Sequence, residues 1–182
     1  MNSNICLPLV LGSSSRSRKK ILEEHNIKFT VLKPAIDEQA VAPHLRNSPS
    51  EYALAVAQAK MDYLISKIDG QSPCIIVASD QVTSWNGQVR EKPIDTDECR
   101  SFLKDYATAP AETHSGVVVY NTQNSKREFG TDVALQHFKP IPENIIDILI
   151  DKGLVMECCG GFMIDDGTFN HLHIRDHVSI SR

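Results

Sequence analysis

The residues with chemistry to offer gather in a few short stretches, the first being Gly12-Ser13-Ser14-Ser15 followed by Arg16, Arg18, Lys19 and Lys20. The apolar run Ile5 to Leu11 before it reads as a buried strand, and the segment after it reads as a helix, with Ile21 and Leu22 its apolar positions and a polar end near Asn26. A turn from strand into helix aims free N–H groups and the positive end of the helix dipole forward, so anions collect in front of it. Ser13 and Ser15 add hydroxyl donors and the arginines add charge. That set suits a polyphosphate where neither a Walker lysine motif nor G-x-G-x-x-G is present, as is the case here. A structural reading stays open, in which the serines cap the helix and the basic residues form a solvated face.

The second stretch is Ser79-Asp80, immediately after the most apolar segment of the chain, Cys74 to Ala78. That segment reads as a strand covered on both faces that stops at Ser79 and Asp80, where open α/β sheets bind their ligands. A carboxylate there can take a proton from water or hold a divalent cation against phosphate charge; it can equally be a cap or turn residue. Asp37-Glu38, in the long loop from Pro34 to Pro49, adds acids, and Lys92-Pro93 adds a cation. His171, His173 and His177 have a spacing some metal sites use, but no acid or thiol is positioned to complete a ligand set, and solvated histidines are the expectation. Trp85, the only tryptophan, is expected to pack in the core or the hairpin rather than stack on a base.

These residues need elements to carry them. Phe29 and Val31 suggest a short second strand. Ser48, Pro49 and Glu51 have the order of a capping box, opening a helix with Tyr52, Val56, Ala59, Tyr63 and Leu64 as its apolar stripe and ending before Gly70. Asn86-Gly87 after Val82 to Trp85 signals a two-residue hairpin. Thr96 to Asp105 reads as a helix, Val117 to Tyr120 and Phe129 to Phe138 as strands joined through Asn121 to Asn124. Pro142 opens a helix with Ile145, Ile146, Leu149 and Ile150 on one side, closed by Lys152 and Gly153. Gly160-Gly161 lets backbone pass close to another group.

With 182 residues, 41% hydrophobic and 23% charged, the chain can bury a sizeable core, and 1–182 is one domain or two small lobes. A net charge of -4 supplies no basic field for a nucleic acid or an anionic membrane. The longest apolar runs fall far short of the roughly 20 residues a spanning helix needs, and a cytoplasmic protein is expected. Five cysteines without C-x-x-C spacing argue against a disulfide framework or zinc site.

Taken in order, these segments resemble the Maf family of nucleoside triphosphate pyrophosphatases over nearly the whole chain. Leu9 to Ser15 with Arg18, Ile21 and Leu22 is similar to the family's opening, S-x-S-x-x-R before a helix. Asp37-Glu38 matches its loop acid, and Ser48 to Tyr52 through Ala57-Gln58-Ala59-Lys60 its next helix. Ala78-Ser79-Asp80-Gln81-Val82 followed by Lys92-Pro93 resembles the catalytic strand end, and Phe138-Lys139-Pro140 with Glu143 to Gly153 the later strand and helix. Gln81 after the acid resembles the branch associated with 7-methyl-GTP; the branch associated with dTTP and UTP usually has Thr there.

The resemblance implies a two-lobed α/β fold with an elongated mixed β-sheet, a nucleotide cleft between the lobes, and a homodimer. It also implies hydrolysis of an α–β phosphoanhydride to a nucleoside monophosphate and pyrophosphate, with Mg²⁺ or Mn²⁺. In that scheme Ser13, Ser15 and Arg18 hold the phosphates with Lys60 as a further contact, Lys92 neutralises charge on the leaving group, Asp80 is the base, and Glu38 positions water or, with Asp80, the metal. Three departures touch specificity and stability. Ser17 stands where that branch usually has an aromatic ring, Asp165 where it has a glutamate, and the chain ends at Arg182 where the family continues into a glycine-leucine-proline turn and a final helix. The alternatives are a dTTP and UTP or inosine-triphosphate-like activity, and a nucleotide-binding regulator of cell division with little turnover.

Overall fold

The computed structural model describes residues 7–68, 70, 72–164, 167, 168 and 173–181. The elements run β1 (Leu9–Gly12), α1 (Arg16–Glu24), β2 (Phe29–Val31), α2 (Pro49–Ile68), β3 (Ile75–Trp85), β4 (Gln88–Arg90), α3 (Thr96–Asp105), β5 (Ala111–Asn121), β6 (Lys126–Phe138), α4 (Glu143–Asp151) and β7 (His173–Ser181). The strands pair in the order β2-β1-β3-β5-β6-β7, with β4 paired to β3. The sheet is mixed, since β1 is parallel to β2 and β3, whereas β3–β4 and β6–β7 are antiparallel. The fold is therefore α/β, as expected.

The chain divides into two compact units, the first comprising residues 1–43, 53–80 and 116–130, the second 44–52, 81–115 and 131–182. The core of the first unit joins Ala57, Met61, Leu64 and Ile68 of α2 to Cys74, Ile76, Ala78 and Val118. Burying a side chain such as Met61 or Leu64 stabilises by roughly 1.5–3 kcal/mol, so this face of α2 fixes the helix on β3 and β5. The buried positions recur at 53, 57, 61, 64 and 68; of the stripe read from sequence, Ala59 and Tyr63 are only half-buried.

The core of the second unit gathers Cys99 and Leu103 of α3, Ile146 and Leu149 of α4, and the rings of Tyr106, Phe138 and Phe162. These rings meet at centroid separations of 5.4–5.8 Å, two of the three pairs edge to face. Gly160, at φ +74°, lies against Thr83, where a methyl group would come within 2.5 Å of Cγ2, as the expected close passage requires. Its carbonyl accepts from the Tyr106 hydroxyl at 2.7 Å. Asn86 and Gly87, at φ 50° and 76°, form the expected two-residue hairpin turn. Trp85 packs against this core as expected, with the Arg90 guanidinium 4.4 Å from its ring centroid.

Two expectations need correction. β3 does not stop at Ser79 and Asp80 but runs through them to Trp85. Nor is its first half covered on both faces: Ile76, Ala78 and Asp80 are buried while Ile75, Val77 and Ser79 between them are half-buried. Asp80 is therefore the third member of a buried row, and a polar residue continues the alternation because the opposing helix supplies it a charged partner. No helix among the described residues is long and apolar enough to cross a membrane.

Candidate active site

Local folding sets up the first part of the site. β1 ends at Gly12, paired with Ala78 of β3, and the chain turns through Ser13 to Ser15 into α1. The Ser13 hydroxyl oxygen, buried, accepts from the Ser15 N–H at 3.2 Å and from Arg18 Nη1 at 3.2 Å. The same guanidinium nitrogen donates to the Ser79 carbonyl at 2.9 Å, so one arginine ties the opening turn to the strand that carries Asp80. Ser15 occupies the cap position, but its hydroxyl makes no capping bond; it lies 2.9 Å from that of Ser17 instead. The purely capping role left open by sequence is thus not what Ser15 does. Lys19 N–H is bonded to the Ser15 carbonyl at 3.2 Å, and the N–H groups ahead of it lie in the forward-facing first turn.

The second part is built across α2, β3 and the long loop. Asp80 belongs to the face of β3 that α2 covers, and Lys60 belongs to the face of α2 that meets it. Lys60 Nζ lies 2.7 Å from Asp80 Oδ1 and 2.9 Å from Glu38 Oε1. Glu38 reaches this point from a 3-10 turn, Glu38–Ala40, within the loop. Both Lys60 and Asp80 are more than nine-tenths buried. Burial pushes the Asp80 carboxyl above the usual carboxylate range; Lys60, by charge and hydrogen bond, opposes this, the Glu38 carboxylate reinforces it, and Arg18 opposes it in turn. One ammonium thus meets two carboxyl groups, with the Arg18 guanidinium close enough to act on Asp80 as well.

Of the remaining residues named from sequence, Gln81 and Lys92 belong to the second unit. The Gln81 amide is exposed, points to the face opposite Asp80 by strand alternation, and donates to Ser115 Oγ at 3.4 Å. Lys92 is exposed and pairs with Glu157 at 3.2 Å. Asp165 and His171 lie outside the described residues, as does Cys6, and nothing is described of the side chains of His173 and His177. Among the described residues no group of three or more His, Cys, Asp or Glu is placed to hold a metal ion by itself. Cys74, Cys99, Cys158 and Cys159 are free thiols. Burial holds Cys99 up to about 11 and raises Cys158, so neither is poised as a thiolate nucleophile.

Sequence reading missed one buried cluster. His114 of β5 is 7% exposed; its Nδ1 lies 2.8 Å from Ser50 Oγ, and its Nε2 lies 3.0 Å from Ser84 Oγ and 3.3 Å from Glu112 Oε2. Ser84 Oγ, wholly buried, donates to Glu112 at 2.8 Å, so the cluster is internally satisfied and ties the first turn of α2 to β3 and β5. The signal available was Glu112 and His114 two apart on a strand, which alone cannot name their partners.

A parallel strand pair ending at a serine turn that Arg18 braces, beside a buried carboxylate held by lysine, defines the chain as an α/β protein with a charged site at the strand end. The sequence model of Maf-like proteins matches residues 8–176, and the chain belongs to that family. It is 39% identical over 163 residues to the 7-methyl-GTP pyrophosphatase of Dictyostelium discoideum, covering 87% of this chain and 81% of that protein. It is 30% identical to the dTTP/UTP pyrophosphatase of Chlamydia caviae, over 87% and 78% of the two chains. It is also 30% identical to the nucleoside triphosphate pyrophosphatase of Chlamydia pneumoniae, over 88% and 80%.

Proposed function

We propose that this protein is a nucleoside triphosphate pyrophosphatase, a hydrolase of phosphoanhydride bonds, with 7-methyl-GTP its preferred substrate. The observation that carries the mechanism is the chain of contacts from Ser13 through Arg18 and the Ser79 carbonyl to Asp80, Lys60 and Glu38. Relatives named for nucleotide pyrophosphatases support the reaction class, and the 39% identical relative together with Gln81 supports the base.

In this reading the Ser13 turn and Arg18 grip the triphosphate through N–H groups and a fixed guanidinium. Water attacks the α-phosphorus, the bond to the bridging oxygen breaks, and pyrophosphate leaves. Asp80 takes the proton from water and returns it to solvent, and Lys60 favours its ionised form, opposing part of the cost of its burial. Lys92 meets negative charge developing on the leaving group. Glu38 and Asp80, two hard carboxylates brought together on the Lys60 ammonium, are the residues that would hold Mg²⁺ or Mn²⁺. When bound, such an ion neutralises triphosphate charge. Ser15 is a further phosphate contact, and Ser17, Gln81 and Asp165 are the positions assigned to base choice. A reducing, cytoplasmic setting suits the four free thiols, and a homodimer is read from the family resemblance alone.

The deciding experiment measures pyrophosphate release from 7-methyl-GTP, GTP, dTTP, UTP and ITP with Mg²⁺ or Mn²⁺, for this protein and Asp80→Asn. The expected result is fastest release from 7-methyl-GTP and a fall of about 10²–10⁴-fold in the variant. Fastest release from dTTP or UTP would move the protein to the other branch. Tight nucleotide binding without release would make it a regulator instead.

A further inference from the structure

We propose that Ser50, His114 and Glu112 form a second catalytic site, a serine nucleophile with its base and an orienting acid, which hydrolyses carboxylic esters by way of an acyl-serine. His114 Nδ1 lies 2.8 Å from Ser50 Oγ, and its Nε2 lies 3.0 Å from Ser84 Oγ and 3.3 Å from Glu112 Oε2. All four residues belong to the second unit, and none takes part in the contacts among Ser13, Arg18, Lys60, Glu38 and Asp80. A nucleophile and a base within hydrogen-bond reach, the base held in turn by a third group, is the arrangement that activates a serine. Glu51, exposed and next in the chain, and Glu112 put negative charge near Ser50. That turns away a polyanion and suits the uncharged carbonyl of an ester.

The network leaves the Ser50 proton one direction to go. The Ser84 hydroxyl donates to Glu112 at 2.8 Å, so toward His114 its oxygen can only accept. A carboxylate oxygen and an accepting hydroxyl therefore both face Nε2, and the ring proton sits there. In the neutral imidazole Nδ1 is then the lone pair, and the Ser50 hydroxyl donates to it. His114 and Ser84 are buried, whereas Ser50 is half-buried, so the nucleophile is the end of the relay nearer to solvent. Ser50 is the second residue of α2, and its N–H and that of Glu51 come ahead of the first helical bond, from Tyr52 N–H to the Ser48 carbonyl. Those donors and the positive end of the helix dipole favour negative charge developing at this end of α2. In the reaction Ser50 Oγ attacks the ester carbonyl carbon as its proton passes to His114 Nδ1, and the Glu112 carboxylate steadies the imidazolium. The bond from that carbon to the alcohol oxygen breaks, and the alcohol leaves with the proton from Nδ1. Water then gives a proton to Nδ1 and attacks the acyl-serine; the carboxylic acid departs and Ser50 recovers its hydrogen.

Two probes test this on the full chain: p-nitrophenyl acetate, followed by release of p-nitrophenol, and a fluorophosphonate, followed by intact mass and peptide mapping. The expected result is a burst of p-nitrophenol approaching about one equivalent and a single phosphonyl adduct on Ser50. Ser50→Ala should lose both. His114→Gln, shown to be folded by near-UV circular dichroism, should label about 10²–10⁴-fold more slowly. No adduct, or adducts only on other serines, overturns the proposal, as does a folded His114→Gln that labels as fast as the parent. Should His114→Gln not fold, Glu112→Gln decides, since that side chain is one-third exposed. Its maximal labelling rate at Ser50 should fall about ten- to a hundredfold with the probe's apparent affinity unchanged, because the acid orients the base and does not touch the probe. An unchanged maximal rate in Glu112→Gln sinks the proposal.

Discussion

Asp80 shows what an ionisable group costs when a fold needs it buried. Its carboxyl is raised above the ordinary range even with Lys60 at 2.7 Å, so loss of hydration outweighs the attraction. An acid whose folded-state pKa is raised binds its proton more tightly folded than unfolded, so it carries no ionisation penalty below its unfolded value near 3.8 and a growing one as pH rises through the folded value. Asp80→Asn removes that penalty, and Lys60 keeps Glu38 as its partner at 2.9 Å. The expected outcome is a variant whose melting temperature gains on the parent from pH 3 upward and levels off once the parent's Asp80 is ionised. A gain that shrinks with pH would mean that Lys60 outweighs burial. At this scale Ser13, Arg18 and Asp80 stood out as candidates, because donor and acid types in a strand-to-helix turn and after an apolar run are visible in the chain itself, and Glu38 stood out as an acid of the long loop. The central place of Lys60 was not. It meets partners 20 and 22 residues away on other elements, and residue type alone cannot say that an ammonium is buried.

The elements form where local chemistry is unambiguous. α3 was read with both ends correct, and the structure shows why it starts where it does: Asp95 Oδ1 accepts from the Glu98 N–H at 2.8 Å, while Glu98 Oε2 accepts from the Ile94 N–H at 2.8 Å. Asp95→Ala leaves helix donors without that acceptor and should lower unfolding free energy by about 1 kcal/mol, read from the denaturation midpoint at unchanged slope. A loss below a few tenths would mean water replaces the cap without cost. β3 is the instructive failure. Ser79-Asp80 has the look of a strand end because two polar residues follow five apolar ones, yet the strand continues because Asp80 keeps the inward alternation and α2 brings a lysine to it. Polar residues end a strand only where nothing across the core answers them.

Over the whole molecule there are two apolar cores, one packed under α2 and the other under α3 and α4. A ligand that binds only the native state stabilises it by about 2.7 kcal/mol at a hundred times its Kd. For a chain of this size that is a rise of about 5–10 °C in melting temperature. We expect that rise for Asp80→Asn with 7-methyl-GTP and Mg²⁺, where turnover no longer removes the ligand; an unchanged melting temperature would show that the nucleotide does not bind the folded chain.

The sequence alone determined the α/β class, nearly every helix and strand, and the donor and acid residues Ser13, Arg18, Glu38 and Asp80 that the fold brings into one chain of contacts. Periodicity, turn residues and functional groups are local properties that survive without coordinates. The tertiary structure decided that Asp80 lies within a strand, that Lys60 is clasped by two carboxylates, and that His114 ties Ser50, Ser84 and Glu112 together. Each of these depends on how closely one element approaches another, a distance set by the packing of many side chains at once and written in no single stretch of the chain.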